Sequence, residues 1–219
     1  MASRLSKPDK RPAPRLTLVT PRIEDAAGFA GDLAAALAGA DVAAVLLRMA
    51  AGDERTLINR AKALIPLVQD KNAAALLDGH AELVARAGAD GAHLSGIAAF
   101  NAGLATLKPA RIAGAGGLLS RHDAMLAAEA GADYVMFGEP DEAGRRPAFA
   151  VVEERISWWA EVFKLPCVGF AATLDEVAAL ARAGADFIAL GDLVWNDARG
   201  PGAILAAAAE RLALPEPIA

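Results

Sequence analysis

The sequence predicts a single α/β domain closed as a (β/α)8 barrel of the TIM type, and three observations carry that prediction. First, the phrase Ala-Gly-Ala-Asp recurs at 38–41, 87–90, 130–133 and 183–186. Each copy is a helix stop followed by a strand: the Gly can take the left-handed conformation that ends a helix, the Asp bonds locally in the turn, and the apolar run behind it is too short for a helix. Second, the copies lie about forty to fifty residues apart, room for two strand–helix pairs per period and eight in all. Third, strands and helices alternate strictly and the strands are apolar on both faces, the mark of a parallel sheet covered by helices. An open doubly wound sheet is the alternative, and the absence of a G-x-G-x-x-G spacing after the first strand weighs against it.

Length and composition agree with one domain. At 219 residues and 55% hydrophobic content, the chain can bury a large core and sits near the lower end of the range for such a barrel. A formal charge of -5 gives no basis for a nucleic-acid partner. The one cysteine, Cys167, excludes an intrachain disulfide and a thiolate metal cage, and suits a reducing cytosol. No apolar run approaches the roughly 20 residues that span a bilayer, and the N-terminus lacks the apolar middle of a secretory signal. The expectation is a cytoplasmic protein without a membrane partner.

In chain order, residues 1–14 are rich in Lys, Arg and Pro with little to bury, and read as a loose tail before a domain at 15–219. The first strand is expected at 16–20, stopped by Pro21, with a helix over 24–37. The second strand covers 43–48. Asp53 is a candidate N-cap for a helix running to Gln69, and a third strand over 73–77 ends at Asp78. A helix over 80–87, a strand over 91–94, a helix over 98–107 and a short strand over 111–114 follow. Gly114-Ala115-Gly116-Gly117 reads as a turn, and Ser120 as the cap of a helix to Ala130. The sixth strand covers 134–137. A loop of about ten residues carrying Arg145, Arg146 and Pro147 is the longest inside the domain. Trp158 and Trp159 belong to the next helix, one ring inward and the other outward, where it would mark a subunit contact of a homo-oligomer. Strands at 167–170 and 188–190, a helix capped by Thr173, and a helix after Gly200-Pro201-Gly202 complete the domain.

Reactive groups of such barrels sit where strands end. That rule selects Arg48, Asp78, His93, Glu139, Arg145 and Arg146 in the long loop, and Asp192. Asp41, Asp90, Asp133 and Asp186 enter strands at the opposite face and are assigned to turn stability. His93 and Glu139 are the catalytic candidates, with a satisfied barrel-mouth histidine as the plain reading of His93. Arg48 binds an anion or pairs with Asp78; Arg145 and Arg146 are a solvated pair or close over an anion. His122 falls in the first turn of a helix and should face solvent.

The stretches 89–94 (Ala-Asp-Gly-Ala-His-Leu), 131–138 (Gly-Ala-Asp-Tyr-Val-Met-Phe-Gly) and 184–186 (Gly-Ala-Asp) resemble the strand-entry phrases of the thiamine phosphate synthase family, including its thiazole tautomerase relatives; the likeness spans about 16–208. The resemblance implies a (β/α)8 fold and a transferase of thiamine biosynthesis that joins a hydroxymethylpyrimidine pyrophosphate to a thiazole phosphate. It also implies that Mg²⁺ and cationic groups help pyrophosphate leave.

Position by position, the active site diverges from that pattern. Of the family's Gln-x-Arg-x-Lys, Arg48 remains; of Asn-Asp, Asp78 remains, the one carboxylate left for Mg²⁺, since the second aligns with Ala98. Glu139-Pro140-Asp141-Glu142 replaces the Thr and Lys positions after strand six. Ala171-Ala172 replaces a Gly-Gly phosphate turn, and Gly191-Asp192 a Ser-containing one. Gly138 and Gly191 stay as ligand-facing backbone. An Asp beside a phosphate is repulsive, at about 4 kcal/mol for unit charges 4 Å apart with an effective dielectric near 20. Ordinary thiamine phosphate synthesis is therefore expected to be weak or absent. Three carboxylates against one permanent cation favour a small neutral or amine-bearing ligand, and Asp192→Ser with Ala172→Gly should raise affinity for small phosphates. The alternatives are a non-catalytic barrel binding a metabolite or a protein, and a different small-molecule isomerase or lyase.

Overall fold

The computed structural model describes residues 12–141 and 143–213. Eight parallel strands close on themselves in sequence order: β1 (Arg15–Ile23), β2 (Val42–Met49), β3 (Ala74–Asp78), β4 (Gly91–Ser95), β5 (Ile112–Gly116), β6 (Tyr134–Phe137), β7 (Cys167–Ala171) and β8 (Phe187–Leu190), with β1 paired to both β2 and β8. The helices are α1 (Ala26–Gly39), α2 (Glu54–Gln69), α3 (Val84–Ala87, after a 3₁₀ turn at Ala81–Leu83), α4 (Ile97–Leu107), α5 (Arg121–Ala130), α6 (Phe149–Val162), α7 (Leu174–Arg182), α8 (Asp192–Trp195) and α9 (Pro201–Ala213). Asp53 caps α2 through Thr56 N, and Ser120 and Asp123 form a reciprocal capping box on α5. The tail expected over 1–14 lies, up to Arg11, outside the described residues.

Side-chain alternation sorts the strand residues into two cores. Leu18, Val45, Leu47, Val135 and Ile188 point outward under the helices, whereas Val19, Leu46, Leu76, Met136, Val168, Phe170 and Ala189 fill the barrel. Two residues beyond Leu46 and Leu76, on the same inward face, stand Arg48 and Asp78. The period-2 rule therefore places the polar groups directly above the apolar plug. Trp159 is fully buried and donates its indole N–H to Leu165 O at 2.9 Å; Trp158 stays on the outer face with the Arg121 guanidinium 4.5 Å over its ring.

Two expectations are corrected, and one element is added. Pro21 does not end β1; the strand runs to Ile23, with its register to β2 shifting between Val19 and Arg22. A bulge tolerates a proline because no ladder N–H is demanded there. Gly114, Ala115 and Gly116 belong to β5 instead of a turn. A short helix, α8, also follows β8 directly.

The repeated aspartates have one job in three of four copies. The backbone N–H of Asp90, Asp133 and Asp186 donates to the carbonyl of Ala75, Ala113 and Cys167, and each carboxylate accepts the N–H of that same residue at 2.8, 2.7 and 2.9 Å. An even strand's entry thus caps the start of the preceding odd strand. Asp41 instead pairs with Arg15 in the open. Asp133→Ala strands a buried amide and is expected to cost about 1–3 kcal/mol, whereas Asp41→Ala stays within about 0.5 kcal/mol. Denaturant melts of the two variants check this, and equal losses would contradict it.

Candidate functional site

The C-terminal ends of the strands open into two connected spaces. An inner recess of about 70 Å³ sits on the apolar plug and takes polar lining from Arg48, Asp78, His93, Glu139 and Asp192. Outside it lies a cavity of about 710 Å³ edged by Arg22, Arg48, Arg145, Arg146 and Arg155. The structure therefore brings Arg48, Asp78, His93, Glu139, Gly191 and Asp192 together at the recess, and places Gly138 and Arg145 on the outer cavity.

His93 is 1% exposed, and its surroundings are built for it. Its Nδ1 lies 2.9 Å from the Tyr134 hydroxyl, and its Nε2 lies 3.9 Å from Glu139 Oε1, an electrostatic contact longer than a hydrogen bond. Glu139 Oε1 also accepts the backbone N–H of Gly117. A carboxylate accepts only, so the assignment that turns no ring lone pair toward Glu139 has the phenol donating to Nδ1 and the imidazole proton on Nε2, facing Glu139. Two glycines of β5 make the space: a Cβ on Gly114 would lie 2.1 Å from Tyr134 Cζ, and one on Gly116 would lie 2.2 Å from Glu139 Oε1 and 2.3 Å from His93 Nε2.

Burial, and then the charges of Glu139, Asp78 and Asp133, push the Tyr134 phenol well above its ordinary range. The unfolded phenol loses its proton near pH 10, so this group's stabilising share is complete below about pH 10 and is lost as pH rises through the folded value. Tyr134 is the sole tyrosine, which makes the test clean. In an alkaline titration, tyrosinate absorbance is expected to appear in one step together with loss of the circular dichroism signal. A smooth titration near pH 10 with the fold intact would refute it.

The charged rim is largely committed. Arg145 is held by Asp141 at 2.8 Å and Arg146 by Glu176 at 3.0 Å, with Arg146 also donating to Phe170 O and Gly138 O. Arg155, from α6, donates to Leu118 O and Leu119 O and so pins the loop after β5. Arg48 faces Asp78 at 3.6 Å. The expected polarity, three carboxylates against one cation, describes the inner recess; the outer cavity reverses it, with five arginines against Asp78, Glu139 and Asp141. Arg22 and Arg155 were missed because one follows an expected strand stop and the other sits on a helix. Tyr134 was missed because it lies at the entry of its strand.

Comparison with known proteins matches the sequence of the chain to one family. Residues 16–194 fit the family model described as thiamine monophosphate synthase. The chain belongs to that family. It is 37% identical over 200 residues to the thiamine-phosphate synthase of Rhodospirillum centenum, covering 88% of this chain and 94% of that one. It is 36% identical over 208 residues to that of Hyphomonas neptunium, covering 90% and 93%. Among solved structures, a thiamine phosphate pyrophosphorylase from Pyrococcus furiosus superposes with a TM-score of 0.73 at 20% identity, covering 90% of this chain and 95% of that one, a likeness of fold.

In the turn after β7, one backbone donor is already taken by a side chain. The N–H of Ala172 already donates to Glu176 Oε2 at 2.7 Å, and Arg146 holds that carboxylate from the other side. Ala172→Gly with Asp192→Ser is therefore expected to raise phosphate affinity only when Glu176 is removed as well, because Glu176 occupies the N–H of residue 172. Nor does the donor set fit Mg²⁺ unaided: among the described residues no group of three or more His, Cys, Asp or Glu is placed to hold a metal ion. Among the described residues no helix is long and apolar enough to cross a membrane.

Proposed function

We propose that this thiamine phosphate synthase-family barrel binds a two-part small metabolite across its mouth. A hydrogen-bonding, amine-bearing ring lies against Asp78, His93, Glu139 and Asp192, and an anionic group lies outward among the arginines. The observation that carries the reading is the layering of charge, acidic and hydrogen-bonding within and cationic at the rim. It suits the kind of substrate that the family resemblance implies, a pyrimidine ring bearing a pyrophosphate.

In this reading Glu139 and Asp78 accept from ring amino groups, His93 is held in one tautomer by Tyr134, and the apolar plug of Met136 and Phe170 supports the ring face. Mg²⁺, where bound, would neutralise pyrophosphate charge, but the protein supplies too few oxygen ligands to build that site itself. Transferase turnover is therefore reduced. With aminopyrimidine pyrophosphate, thiazole phosphate and Mg²⁺ supplied, we expect rates at least about 10²-fold below a family member carrying the complete Thr, Lys, Asp and Gly-Gly set, assayed in parallel. Rates within tenfold of that enzyme would overturn the reduced-turnover reading.

One observation favours a second reading. The oriented, sheltered His93–Glu139 pair is suited to moving a proton on a bound ring, as an isomerase or lyase would require. From thiazole or pyrimidine phosphates, a product of unchanged mass for an isomerase, or two products whose masses sum to that of the substrate for a lyase, lost in Glu139→Gln, would support it over transfer.

A further inference from the structure

We propose that Arg22, beside Arg48 at the ends of β1 and β2, forms a two-arginine seat that takes a phosphate or pyrophosphate group directly, with no divalent ion between protein and anion. The inference rests on the reading that the ligand's anionic end lies at the rim, and it names the residues that hold it there.

Arg22 and Arg48 are register partners on adjacent parallel strands, about 4.8 Å apart, and both line the outer cavity. The register shift between Val19 and Arg22 is what brings them level. Bulges of this kind re-aim a side chain beside functional sites, and Pro21 in the bulge has no N–H to lose. Two like charges held side by side repel unless an anion is shared between them.

Arg22 is exposed and makes no ion pair among the described residues. Arg48 has Asp78 at 3.6 Å, beyond good hydrogen-bond length and open to exchange. By contrast, Arg145, Arg146 and Arg155 are spent on Asp141, Glu176 and the carbonyls of Leu118 and Leu119. Asp192, the repulsive carboxylate, lines the inner recess and not the outer cavity. Guanidinium forks match phosphate oxygens two at a time, so a pair of them can replace the charge that a metal supplies elsewhere.

Calorimetry of the full chain tests this with inorganic pyrophosphate and orthophosphate, each in EDTA and in Mg²⁺. The uncharged aminopyrimidine alcohol serves as an independent probe of the inner recess. We expect pyrophosphate to bind in EDTA and Arg22→Ala to weaken it about tenfold to a hundredfold, with Arg22→Lys between, while the alcohol is unaffected. Tighter pyrophosphate than orthophosphate assigns a diphosphate ligand; equal affinities assign a phosphomonoester. Arg22 is exposed, so circular dichroism should match the parent, and the Lys variant carries the test if the Ala variant does not fold. Binding that requires Mg²⁺, or that survives Arg22→Ala unchanged, overturns the seat while leaving the recess reading intact if the alcohol binds. Binding of neither probe overturns both.

Discussion

Gly91→Ala is expected to lower the melting temperature by about 6–12 °C. A Cβ at this position would lie 2.2 Å from the carbonyl oxygen of Ile112 and 2.8 Å from its carbonyl carbon. Both are backbone atoms of β5, fixed in the ladder by the bond from Ile112 N to Asp90 O at 2.9 Å, so no rotamer relieves the overlap. β4 and β5 must move apart, and a closed barrel has no free edge to absorb the shift. The cost belongs at the upper end of overpacking, about 3 kcal/mol, and each kcal/mol is worth about 2–4 °C in a chain of this size. Gly79→Ala is the control. It has φ +76 but open space around a Cβ, so it carries only the left-handed penalty of about 1–2 kcal/mol. Equal melting temperatures for the two variants would show that close approach does not set the β4–β5 spacing.

That glycine was partly legible in the sequence. The three other copies of the repeated phrase are followed by Val42, Tyr134 and Phe187, and this one by Gly91. The barrel itself was legible because its evidence is local and repeated: helix stops, turn aspartates and short apolar runs each constrain a few residues, and four copies constrain the whole. The convergence of Arg48, Asp78, His93 and Glu139 followed from topology, since parallel strands deliver their last residues to one rim. Gly114 and Gly116 were not legible. By local propensity glycines mark a turn, and what places these two in β5 is the side chains of Tyr134, His93 and Glu139 from neighbouring strands. Arg22 was hidden by a sound rule, that proline ends strands, applied where the ladder is broken anyway. Arg155 was hidden because the strand-end rule does not search helices. The misjudged polarity of the outer cavity follows from those two omissions. The occupied donor in the turn after β7 depends on Glu176, whose carboxylate reaches back to Ala172 only once α7 is in place.

Gly116→Ala should separate the site from the fold. The added methyl would meet Glu139 Oε1 at 2.2 Å, His93 Nε2 at 2.3 Å and His93 Cε1 at 2.5 Å. These are side-chain ends, which distinguishes this case from Gly91, but they are not equally mobile. His93 is 1% exposed and bonded to Tyr134 at 2.9 Å, so it cannot turn aside without breaking that bond. Glu139 faces the mouth and can swing out, losing the Gly117 N–H. The variant is therefore expected to fold with a loss of about 1–3 kcal/mol, yet to present a recess without its carboxylate in place. Losing one preorganised group is worth about 10²–10³ in any turnover the parent shows, and binding of the aminopyrimidine alcohol should weaken at least about tenfold. Adding Glu139→Ala gives a direct readout of which neighbour yields: stability returns toward the parent if the clash is taken up by Glu139, and stays low if His93 bears it. Parent-like stability together with parent-like binding in Gly116→Ala would mean that His93 and Glu139 do not occupy the positions on which the proposed site depends.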